Sequence, residues 1–259
     1  MMAELTDVEL ERYARHIVLP QVGGPGQRKL KNSRIAIVGA GAIGSAAIPA
    51  LAGAGAGQIA IIDDDVVEPS NLQRQLIYRE DQVGMRKAIA AASYATAINS
   101  DVEAVPIVER VTQFNGAKLL TGFDYVIDGS DNFATRLAVN EISVSHRVPL
   151  ISAAAAQFQG QLALLRGWEP DQPCYRCFVG DAFDSEDCDA CSELGVLGAL
   201  AGSMGHLAAL VAVRALLNIG RDVAGILFLM DGISLNWRSM KLPKDGGCRT
   251  CGGLDAATA

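Results

Sequence analysis

Three glycines between an apolar run and an alanine-rich segment constrain this chain more than any other feature. Gly39, Gly41 and Gly44 form the pattern G-x-G-x-x-G directly after the apolar run 34–38. Without side chains, the backbone lets a phosphate approach closely, and the start of the following helix offers unpaired N–H groups and a partial positive charge. The pattern therefore predicts a strand, a nucleotide-binding loop and a helix in that order.

The glycine loop alone does not decide which nucleotide binds. Asp63 follows the next predicted strand, 58–62, at the position where a ribose hydroxyl is held in dinucleotide-binding folds. A nicotinamide or flavin cofactor and ATP are both consistent with these residues.

Strands and helices alternate along the first 152 residues. The predicted strands are 34–38, 58–62, 102–108, 125–128 and 149–152, and the predicted helices are 43–54, 87–98, 117–120 and 134–146. This alternation predicts an α/β fold, a Rossmann-like and mostly parallel sheet with helices on both faces. Later strands at 161–165, 226–230 and 237–242 are expected to extend the same sheet in mixed orientation.

The N-terminal segment is predicted to be a short helical arm. Thr6 and Glu9 have the spacing of a capping box, and apolar residues then recur at helical intervals. We expect the glycine- and proline-rich segment 23–26 to end this arm.

Charge and hydropathy exclude several functional classes. The chain carries 22 basic and 29 acidic residues, a net charge of -7, with no run of lysine or arginine, so we expect no nucleic acid partner. The apolar run 195–219 is interrupted by His206 and Arg214, which favours a buried helix over a membrane span and predicts that His206 is a core residue. The N-terminus lacks the pattern of a secretory signal, which predicts a cytoplasmic protein.

Polar and basic residues after the second strand favour ATP over a dinucleotide. Asn71, Arg74 and Lys87 follow Asp63. A triphosphate needs cations and amide donors around its oxygens, whereas a dinucleotide dehydrogenase needs no such cluster. Asp131, after a later strand, is placed to hold Mg²⁺ on the phosphates.

The six cysteines form three C-x-x-C pairs. They are Cys174 with Cys177, Cys188 with Cys191, and Cys248 with Cys251. Thiols stay reduced in the cytoplasm, so metal binding or catalysis is expected rather than disulfides. Two such pairs suffice to hold one structural Zn²⁺ in a tetrahedral site.

These features together resemble the ThiF/MoeB/HesA family, the bacterial relatives of ubiquitin-activating enzymes. The resemblance rests on Arg12, Tyr13 and Arg15, the glycine loop, segments 63–75 and 128–132, Lys87 and the paired cysteines, and it spans nearly the whole chain. It implies an enzyme that uses ATP and Mg²⁺ to adenylylate the C-terminal Gly-Gly carboxylate of a ubiquitin-like sulfur carrier protein, with release of pyrophosphate.

The resemblance also implies roles for residues of the nucleotide site. Asp63 would bind the ribose, and Asn71, Arg74 and Lys87 the phosphates, while Asp131 would bind the metal ion. Because the tail carboxylate is already ionised at neutral pH, the reaction requires no general base.

Further implications concern the partner subunit, zinc and sulfur. Arg15 would reach into the partner subunit's site across a homodimer. Cys191 resembles a cysteine that takes part in sulfur chemistry by linking covalently to the carrier tail. Zn²⁺ would be held by the outer cysteine pairs, namely Cys174, Cys177, Cys248 and Cys251.

The resemblance implies a single adenylation domain over residues 1–259. Within it we expect an arm at 1–32, a nucleotide-binding core at 33–152 and a carrier-binding, zinc-containing part at 153–259. The chain stops shortly after Cys251, so no rhodanese-like domain is expected, and sulfur would come from a separate donor such as a cysteine desulfurase.

Several alternatives stay open. Cys188 has no counterpart in the family pattern, which leaves three alternatives: Cys191 is a sulfur acceptor, Cys188 and Cys191 are a redox or resolving pair, or both are inert. The carrier is a ThiS-like protein of thiamin biosynthesis, the favoured alternative, or a MoaD-like molybdopterin-synthase small subunit. From other functional classes, the alternatives are an NAD(P)-dependent oxidoreductase and a noncatalytic subunit that docks a ubiquitin-like protein.

Overall fold

The computed structural model describes residues 4–181 and 195–253, which form one large sheet and its covering helices. The helices are α1 (Asp7–Arg12), α2 (Ala14–Ile17), α3 (Gly23–Lys31), α4 (Gly44–Ala54), α5 (Lys87–Ile98), α6 (Gly116–Leu120), α7 (Phe133–His146), α8 (Tyr175–Val179) and α9 (Gly198–Leu217). The strands are β1 (Arg34–Val38), β2 (Gln58–Ile62), β3 (Glu103–Ile107), β4 (Tyr125–Asp128), β5 (Leu150–Ala156), β6 (Gln159–Leu165), β7 (Ile226–Asp231) and β8 (Asn236–Lys241). The predicted pair Cys188 and Cys191 lies outside the described residues.

The sheet is parallel in its first part and antiparallel in its last. Its strand order is β3-β2-β1-β4-β5-β6-β7-β8. The first five strands in the chain pair in parallel, and β6, β7 and β8 then add in antiparallel orientation. The predicted Rossmann-like sheet with a mixed C-terminal extension is therefore confirmed.

Alternate residues of the central strands enter two different core layers. Ile35 and Ile37 of β1 pack with α4, α5 and α9, whereas Ala36 and Val38 pack with α6, α7 and α8. Burying each such isoleucine contributes about 1.5–3 kcal/mol. Both faces of the sheet are covered, as the near-continuous apolar strands predicted.

The chain reverses its direction across the sheet at β1. From β1 it proceeds to β2 and β3 on one side, and β4 then pairs with the other side of β1. A crevice forms outside the carboxyl ends of strands at such a point, which is where open α/β sheets bind ligands. Val38 at the end of β1 pairs with Ile62 and with Asp128, so the ends of three strands lie side by side.

The N-terminal arm is fixed to the domain by buried polar side chains. The capping box of Thr6 and Glu9 is present as predicted. Asn99, fully buried, donates through Nδ2 to the Tyr13 hydroxyl at 2.7 Å and to the Ala52 carbonyl at 2.9 Å.

The expectation that segment 23–26 ends the arm is wrong, because that segment begins α3. Gly23 takes a positive φ of 57° at the first position of the helix. Pro25 lies in the first turn, where backbone N–H groups have no intrahelical acceptor and proline is tolerated.

The apolar helix α9 packs against α4 and β5. It is the one helix among the described residues that is long and apolar enough to cross a membrane, and half of its apolar window is buried. A Cβ on Gly205 would lie 2.2 Å from the Ile43 carbonyl, so the small residues of α9 permit close packing on α4. The prediction of a core His206 is wrong: this residue is exposed on the opposite face, where Nδ1 donates to the Gly202 carbonyl at 2.9 Å.

Candidate active site

A cleft of about 830 Å³ opens at the carboxyl ends of β1, β2 and β4. Most of the predicted nucleotide-site residues line it, namely Gly39, Gly41, Asp63, Asn71, Arg74, Lys87 and Asp131. Gly44 lies beneath the loop rather than on the cleft wall. Arg15 is exposed on α2 and is not among the residues that line the cleft.

Two glycines of the loop are required by close backbone contacts. Gly39 has a φ of 86°, and a Cβ there would meet the Ser130 backbone nitrogen at 3.0 Å. A Cβ on Gly44 would lie 2.1 Å from the Gly39 carbonyl oxygen. Glycine at these positions therefore lets the loop fold back over the start of α4 and against the end of β4.

Asp63 holds the glycine loop in place. Its Oδ2 accepts from the Ala40 amide and its Oδ1 from the Asp65 amide, each at 2.8 Å. Burial raises the pKa of Asp63 above its ordinary value, although Lys87 and the two amides oppose the shift. On the other side of the loop, the buried Tyr78 hydroxyl donates to the Ala40 carbonyl at 2.8 Å.

Two cations are positioned on the cleft wall. Lys87, 6% exposed, begins α5 and donates through Nζ to Asp65 Oδ2 at 2.8 Å. Arg74 donates through Nη1 to the Ser70 carbonyl at 2.9 Å. Both side chains are held by the loop between β2 and α5, so their charges are fixed at the site before any ligand arrives.

Two buried amide oxygens lack a hydrogen-bond partner among the described residues. They are Asn71 Oδ1 and Gln75 Oε1, on residues that are 6% and 3% exposed. An unsatisfied buried oxygen costs about 1–3 kcal/mol, so such groups in a cleft indicate a ligand or ordered water that would pair with them. These oxygens can only accept, so they would pair with hydroxyl or amino groups of a nucleotide or with water, while the open glycine loop and the adjacent cations fit its phosphates.

The end of β4 carries one buried and one exposed carboxylate. Asp128, 1% exposed, accepts through Oδ1 from the Ser130 amide and hydroxyl at 2.9 and 2.6 Å. Asp131 is exposed on the cleft wall, and Asn132 caps α7 by accepting from the Thr135 amide at 2.9 Å. Asp128 therefore shapes the loop, whereas Asp131 faces the cleft.

Sequence reasoning missed Arg136, a buried guanidinium behind this loop. Nη2 donates to the Ser130 and Ala153 carbonyls at 2.5 and 2.9 Å, and Nη1 to Ser152 Oγ at 3.2 Å. Nη1 also lies 4.0 Å from Asp128 Oδ2. The available signal was an arginine one turn into the helix that follows the Asp-Gly-Ser-Asp-Asn segment.

The four outer cysteines form a cluster in which Cys174, Cys248 and Cys251 are buried and Cys177 is half-buried. Their sulfur atoms all lie within 4.8 Å of one another. The distances are 3.9 Å for Cys174–Cys177, 3.6 Å for Cys174–Cys248 and 3.4 Å for Cys177–Cys251. Tetrahedral Zn²⁺ with bonds of about 2.3 Å would place its sulfurs about 3.8 Å apart, so the cluster could hold zinc.

Hydrogen bonds among the sulfurs favour a thiolate at Cys177 but not at Cys174 or Cys251: the Cys177 sulfur raises the pKa of Cys174 to about 12, and the Cys174 sulfur raises the pKa of Cys251. The Cys174 sulfur, followed by that of Cys251, lowers the pKa of Cys177 far below its ordinary value. The Asp245 amide also donates to Cys177 Sγ at 3.5 Å. A closed set of four sulfurs with such donors suits a structural metal site rather than a catalytic one.

Comparison with known proteins places this chain among adenylyltransferase sequences. A profile described as the ThiF family matches residues 13–250. A SAMP-activating enzyme E1 of Haloferax volcanii is 38% identical, with 99% of this chain and 94% of that protein aligned. A sulfur carrier protein adenylyltransferase of Thermus thermophilus is 38% identical (95% and 92% aligned), and a molybdopterin-synthase adenylyltransferase of Salmonella typhimurium is 36% identical (97% and 100% aligned).

Solved structures share the fold at lower sequence identity. Escherichia coli MccB crystallised with ATP superposes with a TM-score of 0.82 at 22% identity, over 95% of this chain and 75% of that one. The microcin C7 biosynthetic enzyme MccB with N-formylated MccA gives 0.81 at 23% identity, over 93% and 75%. Because the family profile covers most of the chain and the relatives align over nearly its full length, this chain belongs to the ThiF family.

Proposed function

We propose that this protein is an ATP-dependent adenylyltransferase that activates the C-terminal carboxylate of a ubiquitin-like sulfur carrier protein and releases pyrophosphate. Relatives aligned over nearly the whole chain are named for activating or adenylylating such proteins. The supporting feature of the structure is the cleft, where the glycine loop, Asp63 and the cations Arg74 and Lys87 surround two unpaired amide oxygens.

Different residues of the cleft would bind different parts of ATP. Asp63 would accept a hydrogen bond from a ribose hydroxyl. Each carboxylate oxygen already accepts one hydrogen bond from a backbone amide and keeps a further lone pair. Asn71, Arg74 and Lys87 would contact the phosphates, and Asp131 would bind Mg²⁺.

The proposed reaction is attack by the tail carboxylate on the α-phosphorus of ATP. Negative charge builds on the equatorial and leaving oxygens in the transition state, so cations fixed beforehand stabilise it more than the ground state. Arg74 and Lys87 are held by Ser70 and Asp65, which limits the reorganisation needed during the reaction.

The proposal also covers the assembly and its setting. We propose a cytoplasmic homodimer in which Arg15 completes the site of the partner subunit, consistent with its exposure outside the cleft of its own chain. We propose that Asp131 binds Mg²⁺. The proposed substrate is a ThiS-like carrier of thiamin biosynthesis, and a separate donor such as a cysteine desulfurase would supply the sulfur. A MoaD-like carrier is the second candidate, because one relative is named a molybdopterin-synthase adenylyltransferase.

Intact mass spectrometry tests the activity directly. The purified enzyme and Mg-ATP are incubated with each candidate carrier of the same genome, and one carrier should gain the mass of AMP on its C-terminal glycine. A carrier lacking that glycine is the matched control. No adenylate on any carrier, together with NAD(P) binding by calorimetry, would refute the proposal in favour of an oxidoreductase.

A single substitution separates catalysis from mere docking. Arg74→Ala should abolish adenylate formation while leaving carrier binding unchanged, because Arg74 is a cation on the cleft wall that is proposed to contact the phosphates. Lys118→Ala, at an exposed position of α6 outside the cleft lining, controls for the loss of one positive charge. Carrier binding without adenylation by the wild type would support a noncatalytic docking role instead, and equal adenylation by Arg74→Ala and wild type would contradict the role of Arg74.

Cys191 is proposed as the sulfur acceptor that links to the carrier tail. Cys191→Ser should slow thiocarboxylate formation on the carrier when a persulfide donor is present, without affecting adenylation. A wild-type rate in Cys191→Ser would contradict this role, and Cys188→Ser tests whether the neighbouring thiol takes part.

A further inference from the structure

Helix α7 connects the nucleotide cleft to the cysteine cluster. Its N-cap, Asn132, lines the cleft. Near its other end, Val144 packs in one cluster with Cys174, Cys248 and Cys251. One 14-residue helix therefore contacts both sites.

Asn140, in the middle of α7, bonds to the cysteine cluster through both ends of its side-chain amide. It is 1% exposed, and Nδ2 donates to Cys174 Sγ at 3.6 Å. Its Oδ1 accepts from the Tyr175 backbone amide at 2.7 Å. A donor to a ligand sulfur tunes a metal site and fixes the direction of the sulfur, so the position of Asn140 depends on how Cys174 is held.

Arg136 lies one turn earlier on the same face of α7, four residues before Asn140. Its guanidinium carbon lies 5.9 Å from the centre of the Tyr175 ring, and Tyr175 directly follows Cys174 in the chain. The same guanidinium donates hydrogen bonds to the Ser130 carbonyl at 2.5 Å and to the Ala153 carbonyl at 2.9 Å. Arg136 and Tyr175 both line the cleft, so the contacts run from a ligand sulfur to the nucleotide site without a gap.

We propose that zinc in the four-cysteine cluster and nucleotide in the cleft are energetically coupled through Asn140, Tyr175 and Arg136. Zinc would fix Cys174 and hence the Tyr175 ring and Arg136, which holds the loop 128–132 in its binding position. Arg136 and Asn140 are positioning residues in this scheme. The inference rests on the proposed function in one respect only, that nucleotide is the ligand of the cleft.

Coupling of this kind is reciprocal. If zinc strengthens nucleotide binding, nucleotide must retain zinc by the same factor at equilibrium. Zinc retention is therefore a readout that requires neither a carrier protein nor turnover. All three connecting residues are buried, 1%, 3% and 6% exposed for Asn140, Tyr175 and Arg136, so a displacement of one is transmitted by packing rather than absorbed by solvent.

Equilibrium competition for zinc with graded concentrations of 4-(2-pyridylazo)resorcinol, followed by absorbance, tests the proposal on the wild-type protein. Zinc-loaded protein is assayed with and without saturating α,β-methylene-ATP and Mg²⁺, and calorimetry on the same sample measures nucleotide binding. We expect the analogue to raise the zinc affinity about fivefold or more, and so to reduce zinc release to the chelator at equilibrium, within the usual range of coupling between sites. Nucleotide binding with no change in zinc release would overturn this inference and leave the proposed function intact.

Two conservative variants test the proposed path of contacts through Asn140, Tyr175 and Arg136. Asn140→Asp keeps the acceptor for the Tyr175 amide but faces Cys174 with a carboxylate, so the zinc affinity should fall about tenfold or more. Arg136→Lys should keep one zinc per chain and lose the effect of nucleotide on zinc affinity, because a single ammonium cannot reproduce the fork that joins Ser130, Ala153 and Tyr175. Asn236→Asp, on exposed β8, should behave as wild type.

The outcomes distinguish the two proposals. If Arg136→Lys retains the full effect of nucleotide on zinc release, the proposed path is wrong. If the zinc-loaded wild type binds no nucleotide at all, the proposed function fails and this inference fails with it.

Discussion

The Asp63 carboxylate accepts a hydrogen bond from the Ala40 amide at 2.8 Å, which fixes the glycine loop to the end of β2. The residue proposed to bind the ribose is therefore also the residue that holds the loop for the phosphates. One substitution should affect both stability and nucleotide affinity.

Asp63→Asn should weaken ATP binding about tenfold and destabilise the fold by about 1–3 kcal/mol. The carboxamide offers one acceptor oxygen, so one of the two loop amides, Ala40 or Asp65, would lose its acceptor. Calorimetry and urea unfolding measure the two effects. Asp101→Asn, at an exposed aspartate, is the control. If Asp63→Asn changes neither the ATP affinity nor the free energy of unfolding, this account is wrong.

Lys87→Met should lower the adenylation rate about 100-fold or more while the protein remains folded. The methionine fills the space of the stem but removes the fixed cation, which acts on charge that develops in the transition state. Single-turnover kinetics at saturating ATP separates kcat from KM. Lys118→Met, at an exposed position of α6, should leave both parameters unchanged. An effect of Lys87→Met on KM alone would argue against a transition-state role.

Two glycines at the two ends of α4 should respond in opposite directions to alanine. Gly44→Ala should destabilise the fold by about 3 kcal/mol or more, because its Cβ would lie 2.1 Å from the Gly39 carbonyl oxygen. Gly53→Ala should stabilise it by about 0.5–1 kcal/mol, since Gly53 is exposed, helical and has no atom within 4 Å of the added Cβ. Thermal unfolding measures the change in stability of each variant. If both variants change stability equally, the contact of the added Cβ with the Gly39 carbonyl is not the cause.

Attachment of the N-terminal arm should depend on pH through Glu9. Burial would raise the pKa of Glu9, but the hydrogen bond from Lys31 at 2.7 Å and those from Thr6 outweigh it and hold the pKa below 4.5. A carboxylate with a lowered pKa contributes stability that is present above its unfolded value and lost as pH falls through the folded value.

Glu9→Gln, which preserves the capping box, should therefore destabilise the protein by about 1–2 kcal/mol at pH 7. The difference from wild type should shrink as the pH falls below 4.5 toward complete protonation of Glu9. Urea unfolding across this pH range measures it. Glu11→Gln, exposed on the same helix, should show no such dependence, and a difference that stays constant with pH would exclude the ion pair as its source.

Cys248→Ser should eliminate bound zinc and lower the unfolding temperature. Cys248 Sγ lies 3.6 Å from Cys174 Sγ inside the cluster, and a structural metal contributes directly to folding. Metal analysis of protein purified with zinc present measures the stoichiometry. The double variant Cys188→Ser with Cys191→Ser should keep one zinc per chain, and zinc loss in that variant instead would mean that the metal is held by a different pair.

The sequence by itself determined the layered fold and the edge of the sheet where the cleft lies. Its apolar strands alternate with helices, and the glycine pattern marks one strand–helix junction. Since the carboxyl ends of parallel strands share one edge, Asp63, Asn71, Lys87 and Asp131 were predictable neighbours although they are distant in the chain. Family membership followed from the same motifs taken in order.

Tertiary structure alone decided which side chains are buried and which contacts join the two sites. The sequence pattern did not show that Asp128 is buried while Asp131 is exposed, that α3 begins at Gly23 or that His206 faces outward. Nor did it show that Arg136 and Asn140 lie between the cleft and the cysteines. Periodicity along a chain specifies which face of an element is apolar, but the partner met by a polar group on that face depends on long-range packing, which no local pattern encodes.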